Sequence, residues 1–454
     1  MPRHFVLKID QPVTPPAPVG RLWNHMLTGG VDYKVHYAAG QGASAQWISD
    51  QYDWVAGHYD VMGGGTQSQY FPRKASINPD FKHGQYDLLF SFDPGRVSNF
   101  QNWLNANGYA ATMESAFLHN AGTSETFANR VTGVLWGTQR NFIDPGDAGT
   151  IAFCEARHQS LLNTKGDFVF IDETSSWAFN NYIPDVTLEY ASRGDYYTDL
   201  QALITTLRAL APADYVAWNI GEYKTASDIA LATVSGMCYH EWTCNPFSEG
   251  FGIWWPHIDS LVASGIKVIY GIGPSALIVD SSDTGYPGQF TGFGESRYST
   301  RQVRAFMQMY GLYLMVVDAQ AELVYFDPYS TGPYLAQYLD RPHSSHWVDA
   351  FEYDIGLPAG PRQLAFSGSG ATADPADQQW RVYRRHFANA VVMCRPMPYW
   401  GLQAGGNYGD ASAVTVDLPS GTWQELAEDG TLIAGVVTTV TLNMAETAIF
   451  IDAS

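Results

Sequence analysis

The sequence predicts a chain of the α/β class: a (β/α)8 TIM barrel followed by a C-terminal all-β sandwich. Three observations predict it. Eight short apolar runs, each ending in a polar residue, recur between residues 54 and 318. Amphipathic stretches with apolar residues three and four apart lie between several of them, at 148–162, 196–210 and 299–310. After about residue 350 the texture becomes Val- and Thr-rich with alternating apolar positions. Runs apolar on both faces that alternate with helices are the pattern of parallel strands covered by helices. Eight such units match the size of a (β/α)8 barrel, and alternating strands with Gly and Asp turns match a sandwich.

In chain order, residues 1–52 read as a Pro- and Gly-punctuated N-terminal extension packed on the barrel. The barrel is expected over 53–355, with strands in WVAGHYD (54–60), YDLLFSFD (86–93), GYAATMES (108–115), DFVFIDE (167–173), DYVAWNIGE (214–222), VSGMCYHEW (234–242), IKVIYGIG (266–273) and GLYLMVVD (311–318). The boundary falls in IGLPAGPRQ, and residues 356–454 form the sandwich. Neither MGGGTQ (62–67) nor GIGPS (271–275) completes a nucleotide-binding glycine pattern, so both read as tight turns.

Composition narrows the function. Only 15% of residues are charged and 14% are aromatic, the reverse of a disordered chain. A net charge of −20 opposes binding to nucleic acid or to an anionic membrane. No apolar run reaches the roughly 18 residues that span a bilayer. Near the start, Lys8 and Asp10 interrupt FVL, so no signal peptide is legible. Localisation stays open between an internal protein and a secreted or periplasmic one whose leader was removed. Four cysteines make no disulfide framework and read as buried thiols, although Cys238 and Cys244 are close enough in sequence to pair.

In a (β/α)8 barrel the active site is built from the C-terminal ends of the strands. The polar residues ending the runs are Asp60, Asp93, Glu114, Asp172 with Glu173, Glu222 just past Asn219, Glu241 and Asp318. A ring of carboxylates is costly, because like charges shift one another's proton affinity. Glycoside hydrolysis requires such a set, one carboxyl as proton donor and another as nucleophile or base. Asp93, ahead of Pro-Gly, and Asp318 read as helix or loop caps. Glu114 divides between capping and substrate binding. Asp172 and Glu173 differ, since two adjacent acids end the apolar run FVFI. Aromatics near the same ends are Tyr59, Trp136, Trp177, Trp218, Tyr239, Trp242, Trp254 and Trp255. Their flat faces suit the C–H faces of sugars or, equally, a barrel core.

No H-E-x-x-H, C-x-x-C or G-x-S-x-G occurs, so no metal or cofactor is expected. His343 and His346 read as solvated, and VDSSDTG (279–285) reads as an ordinary loop.

Several segments resemble a known group. NFIDPGDAGTIAFCEARHQSLLNTKGDFVFIDE (141–173), WNIGEY (218–223) and SGMCYHEW (235–242) are similar to segments of uncharacterised glycoside hydrolase-like (β/α)8 barrels. FEYDIGLPAG (351–360), RRHFANAVVMCRPMP (384–398) and GTWQELAEDG (421–430) resemble their linker and C-terminal sandwich. Distant relatives are the endo-α-1,4-polygalactosaminidases and spherulin-like hydrolases. The resemblance implies Asp172 as nucleophile or base and Glu241 as acid, with Glu173 in the adjacent acidic place. The fifth-strand motif departs from the pattern, with Asn-Ile-Gly for Asn-Pro-Gly, and the third βα region (115–166) is long.

Together these give a glycoside hydrolase acting on a poly- or oligosaccharide, with Asp172 and Glu241 catalytic. Asp60, Glu173, Asn219, Glu222 and Glu114 would hold hydroxyls, and Tyr59, Tyr239, Trp177, Trp242 and Trp136 would stack on sugars. The alternative is a non-catalytic glycan-binding barrel. A polysaccharide lyase fits less well, because few basic residues are present to neutralise a uronate.

Overall fold

A computed structural model describes residues 24–28, 45–63, 67–135, 137–163, 166–172, 176–221, 226–240, 251–271, 300–327, 350, 353–367, 381–396, 413–427, 430–443 and 446–454. Eight parallel strands form the central sheet: Asn24–Thr28 (β1), Val61–Gly63 (β2), Lys82–Asp87 (β3), Phe168–Ile171 (β4), Val216–Gly221 (β5), Gly236–His240 (β6), Lys267–Gly271 (β7) and Val324–Asp327 (β8). They pair side by side in the order β1-β8-β7-β6-β5-β4-β3-β2, and β1 pairs with β2 to close the ring.

The helices among the described residues are Ala45–His58 (α1), Gln67–Ser76 (α2), Pro94–Ala106 (α3), Ala148–Asn163 (α4), Ser176–Tyr182 (α5), Arg193–Leu210 (α6), Ala226–Ser235 (α7), Phe251–Ala263 (α8) and Thr300–Leu314 (α9). They alternate with the strands, as the crossover rule for parallel sheets requires. Local chemistry sets their ends. Asp93 accepts from the Arg96 amide at 2.9 Å and Pro94 follows it, a cap and a first-turn proline at the start of α3. Ser192 caps α6 in the same way.

The strands at 167–173, 214–222, 234–242 and 266–273 lie where the apolar runs place them. Four other assignments are corrected. Residues 54–60 are mostly helix α1, whose Tyr52 and Ala56 are buried at helical spacing. The first barrel strand is instead β1, inside the stretch expected to be an extension. Residues 108–115 fall in short 3-10 turns. Residues 311–318 continue and follow helix α9, and the eighth strand lies at 324–327. This last misreading has a clear cause. Met309, Tyr310, Leu312, Tyr313 and Leu314 are all buried, so the last turns of α9 lose the amphipathic spacing of 299–310 and read as one apolar run.

Between β3 and α4 the chain inserts a three-stranded antiparallel sheet of Ser91–Phe92, Thr132–Leu135 and Thr138–Phe142. Beyond the barrel the chain is antiparallel. Gln363–Ser367, Arg381–His386, Ala390–Arg395, Glu446–Asp452 and Trp423–Glu425 make one sheet, and Val414–Asp417 pairs with Thr439–Leu442 in another. Val391, Met393 and Phe450 of the first share an apolar cluster with Val416, Val440 and Leu442 of the second.

The C-terminal part is welded to α9. Thr447 donates to Gln308 at 3.0 Å, and the Arg385 guanidinium donates to the Leu314 carbonyl at 2.9 Å. Arg362 grips Asp259 of α8 with two contacts, 3.0 and 2.6 Å.

Candidate active site

Side-chain alternation divides each strand between two cores. Val61, Phe168, Phe170, Ala217, Met237, Tyr239, Ile269 and Tyr325 cluster together inside the barrel. Val169, Ile171, Val216, Trp218, Cys238, Val268 and Tyr270 join the helix-side core. At the C-terminal ends the inward positions become polar. Asp172 follows Ile171 and shares the parity of Phe170, and Asn219 shares that of Ala217.

These two meet. The Asn219 amide donates to Oδ1 of Asp172 at 2.7 Å, and the Tyr86 hydroxyl donates to Oδ2 at 2.8 Å. The Asp172 backbone N–H donates to the carbonyl of Asp87 at 3.1 Å, tying the end of β4 to the end of β3. Both carboxylate oxygens are thus oriented by neutral donors from the flanking strands. Such donors fix the direction of the carboxylate's lone pairs. Asn219 is buried, whereas Tyr86 is 44% exposed although it sits at a barrel strand end. Its ring stacks on Phe170 with centroids 6.1 Å apart.

Tyr239 stands beside Asn219 in the register of β5 and β6. Its ring meets Phe170 edge-on at 5.5 Å, and its hydroxyl comes within 2.5 Å of where a Cβ on Gly271 would be. Glycine at 271 lets this phenol reach the end of β7. Tyr86, Asp172, Asn219 and Tyr239 therefore form one polar arc across β3 to β6 above an aromatic floor.

Other expected site residues lie elsewhere. Asp60 precedes β2, and its carbonyl accepts from the amide of Lys82, the first residue of β3, at 2.8 Å. It stands at the N-terminal end of the barrel, where its charge and that of Asp318 add to burial in pushing the Tyr325 phenol up. Tyr59 is 1% exposed, core rather than cleft. Trp218 and Trp255 are likewise core. Glu114 belongs to the insertion and not to a strand end, and it is held by Arg130 at 2.9 and 2.5 Å. Asp318 accepts from the amides of Leu323 at 2.7 Å and Val324 at 3.1 Å, which shapes the approach to β8. For Asp60 and Asp318 the run was taken one element too early, so its final acid fell off the barrel rim.

Glu173, Glu222, Glu241, Trp136 and Trp242 lie outside the described residues, as do Cys244, His343, His346 and 279–285. Trp177 is on α5, with its side chain outside the description. Cys154, Cys238 and Cys394 are buried free thiols.

Two residues escaped the sequence. Tyr86 and Asp87 end β3, but the run 86–93 seemed to end six residues later at Asp93. Asp87 is fully buried on the helix side, paired with Arg157 at 2.5 and 2.6 Å and with Arg96 at 3.0 Å. A Tyr-Asp pair following HGQ was the available signal.

A second acidic group lies in the insertion. The Tyr190 hydroxyl contacts Asp144 closely and Asp199 at 3.0 Å, and the Gly146 amide donates to Asp144 at 2.9 Å. Burial raises the Asp144 carboxyl to about 6, against the lowering effect of these donors. Nearby, His119 bonds Glu189 through its ring at 2.7 Å. These contacts fasten the insertion to the segment leading into α6.

Among the described residues no group of three or more His, Cys, Asp or Glu is placed to hold a metal ion, and no helix is long and apolar enough to cross a membrane.

In fold the chain is similar to Amy13B of Eubacterium rectale, at 8% identity and a TM-score of 0.52, over 96% of this chain and 97% of that one. The glycoside hydrolase domain of PelA from Pseudomonas aeruginosa is 10% identical with a TM-score of 0.36, covering 69% of this chain and 95% of its own. The type III pullulan hydrolase of Thermococcus kodakarensis is 10% identical with a TM-score of 0.44, covering 89% and 70%. No family model and no curated protein matches the sequence. At 8% identity the likeness to Amy13B is one of fold, and it agrees with the distant glycoside hydrolase-like fold that the sequence resembles.

Proposed function

We propose that this chain is a glycoside hydrolase that cleaves a poly- or oligosaccharide at the C-terminal rim of a (β/α)8 barrel, with two carboxyl groups doing the chemistry. The observation that carries the reading is Asp172, an acid at the end of β4 with each oxygen held by a neutral donor, Tyr86 or Asn219. A carboxylate whose two oxygens are oriented in this way suits an anion that must face a developing positive charge at a sugar's anomeric carbon.

In this reading Asp172 attacks the anomeric carbon or takes a proton from the attacking water. Glu241, one residue past the end of β6, gives its proton to the departing glycosidic oxygen. The bond between that oxygen and the anomeric carbon breaks, and water supplies the hydroxyl and proton that restore both groups. Asn219, Glu173 and Glu222 would bind hydroxyls, and Tyr239, Trp177, Trp242 and Trp136 would contact sugar faces. We further propose that the two C-terminal sheets form a sandwich that backs the barrel, meeting it near residue 355.

The test measures reducing ends released from a panel of polysaccharides. Asp172→Asn is expected to lose at least about a thousandfold in kcat while still binding glycan. Glu241→Gln is expected to recover on substrates with good leaving groups, because protonation then matters less. Glycan binding with no release of reducing ends by the wild type would sink the enzyme reading and favour a binding barrel.

A further inference from the structure

The Tyr86 hydroxyl is not needed to fill the barrel. Its ring already packs on Phe170, yet the side chain is 44% exposed and spends its proton on Oδ2 of Asp172 at 2.8 Å. Asn219 engages the other oxygen from the opposite side at 2.7 Å. The two donors come from β3 and β5, the strands that flank β4, so the carboxylate plane is fixed from both directions. Glu173, Glu222 and Glu241 follow β4, β5 and β6 in sequence and lie outside the described residues. On β3 the next residue, Asp87, lies on the helix side and is neutralised by Arg96 and Arg157. On β5 and β6 the residues packed nearest the unit, Ala217, Tyr239 and Met237, are not acidic or basic at neutral pH.

We infer that Tyr86 is a positioning residue for the reaction: its hydroxyl orients Oδ2 of Asp172, and its exposed ring edge forms part of the surface that receives the sugar bound at the cleaved bond. The inference rests on the glycosidase reading for its chemical meaning, but not for its physical test. A hydroxyl donating to a carboxylate oxygen fixes the direction of its lone pairs, so its removal leaves the carboxylate held from one side only. The ring and the hydroxyl make separable contributions. Tyr86→Phe keeps the first and deletes the second, whereas Tyr86→Ala deletes both.

Two measurements separate the outcomes. In protein labelled with 13C at aspartate Cγ, with Asp172→Asn for assignment, the Asp172 resonance of wild type is compared with that of Tyr86→Phe at one neutral pH. It is expected to shift in Tyr86→Phe, because Oδ2 loses its donor. An unchanged resonance in correctly folded Tyr86→Phe overturns the proposal whether or not a substrate is known. Kinetically, Tyr86→Phe is expected to lower kcat about tenfold or more with little change in KM. Tyr86→Ala is expected to raise KM as well. Equal losses in kcat and KM in both variants would reduce Tyr86 to a structural residue. If wild type releases no sugar but the Cγ resonance shifts, the glycosidase reading fails while the Tyr86–Asp172 contact stands.

Discussion

At the scale of the residue, position along a strand decides what an acid does. Asp172 and Asp87 both sit at barrel strand ends, one residue beyond β4 and the last residue of β3. Asp172 faces inward to neutral donors, and Asp87 faces the helices and two guanidinium groups. In the proposed reading the first serves the chemistry, while the second serves the fold. Asp87→Ala is expected to cost about 2–3 kcal/mol, below the usual penalty for breaking a buried pair because Arg96 and Arg157 can rehydrate. A urea midpoint measurement checks this, and a change under 0.5 kcal/mol would contradict it. Asp172 was legible in the sequence because two acids closed an apolar run of strand length. Tyr86 was not, since a tyrosine's hydroxyl becomes informative only when a neighbouring strand brings a carboxylate to it.

At the scale of the element, the insertion is held by ionisable contacts rather than by apolar packing alone. Asp144 is the group to watch. Burial raises its carboxyl from 3.8 to about 6, so the folded state holds the proton more tightly than the unfolded state does. Its stabilisation is therefore complete below about pH 4 and is lost as pH rises through 6. The shift corresponds to about 3 kcal/mol across that window. Asp144→Asn is expected to flatten this part of the stability–pH curve, measured by chemical denaturation from pH 4 to 7. Parallel curves for the two proteins would rule the assignment out. Gly271 offers a second check, because a methyl there would fall within 2.5 Å of the Tyr239 hydroxyl. Gly271→Ala is expected to reduce turnover by displacing that phenol, with a smaller effect on stability than on kcat.

At the scale of the whole molecule, α9 belongs to two cores at once. Its buried residues join the barrel's helix-side cluster, which also contains Val392, Cys394, Ile449 and Ile451 of the C-terminal sheet. Gly311 lies so close to Thr447 that an added Cβ would be 2.1 Å from its hydroxyl. Barrel and C-terminal sheets are thus expected to unfold in one calorimetric transition. Gly311→Leu is expected to lower its Tm by several degrees through overpacking of about 1–3 kcal/mol. Two resolved transitions in the wild type would show that the cores are independent.

The low charge, the many aromatic rings and the acidic balance were properties of the sequence by itself, and so were the four consecutive strands β4 to β7. Local composition suffices for those strands because each is apolar on both faces and bounded by turn residues. The first strand, the helical continuation of α9 through 311–314 and the true end of β3 were decided only by tertiary structure. Asn24–Thr28 is a strand because β2 and β8 supply its hydrogen bonds. The apolar stretch ending α9 is helical because it is buried in one continuous cluster with the barrel helices and the C-terminal sheet. Which acid faces the rim depends on which runs are strands and on where each strand ends. Asp60 and Glu114 left the site because their runs are not barrel strands, and Tyr86 entered it because β3 ends at Asp87.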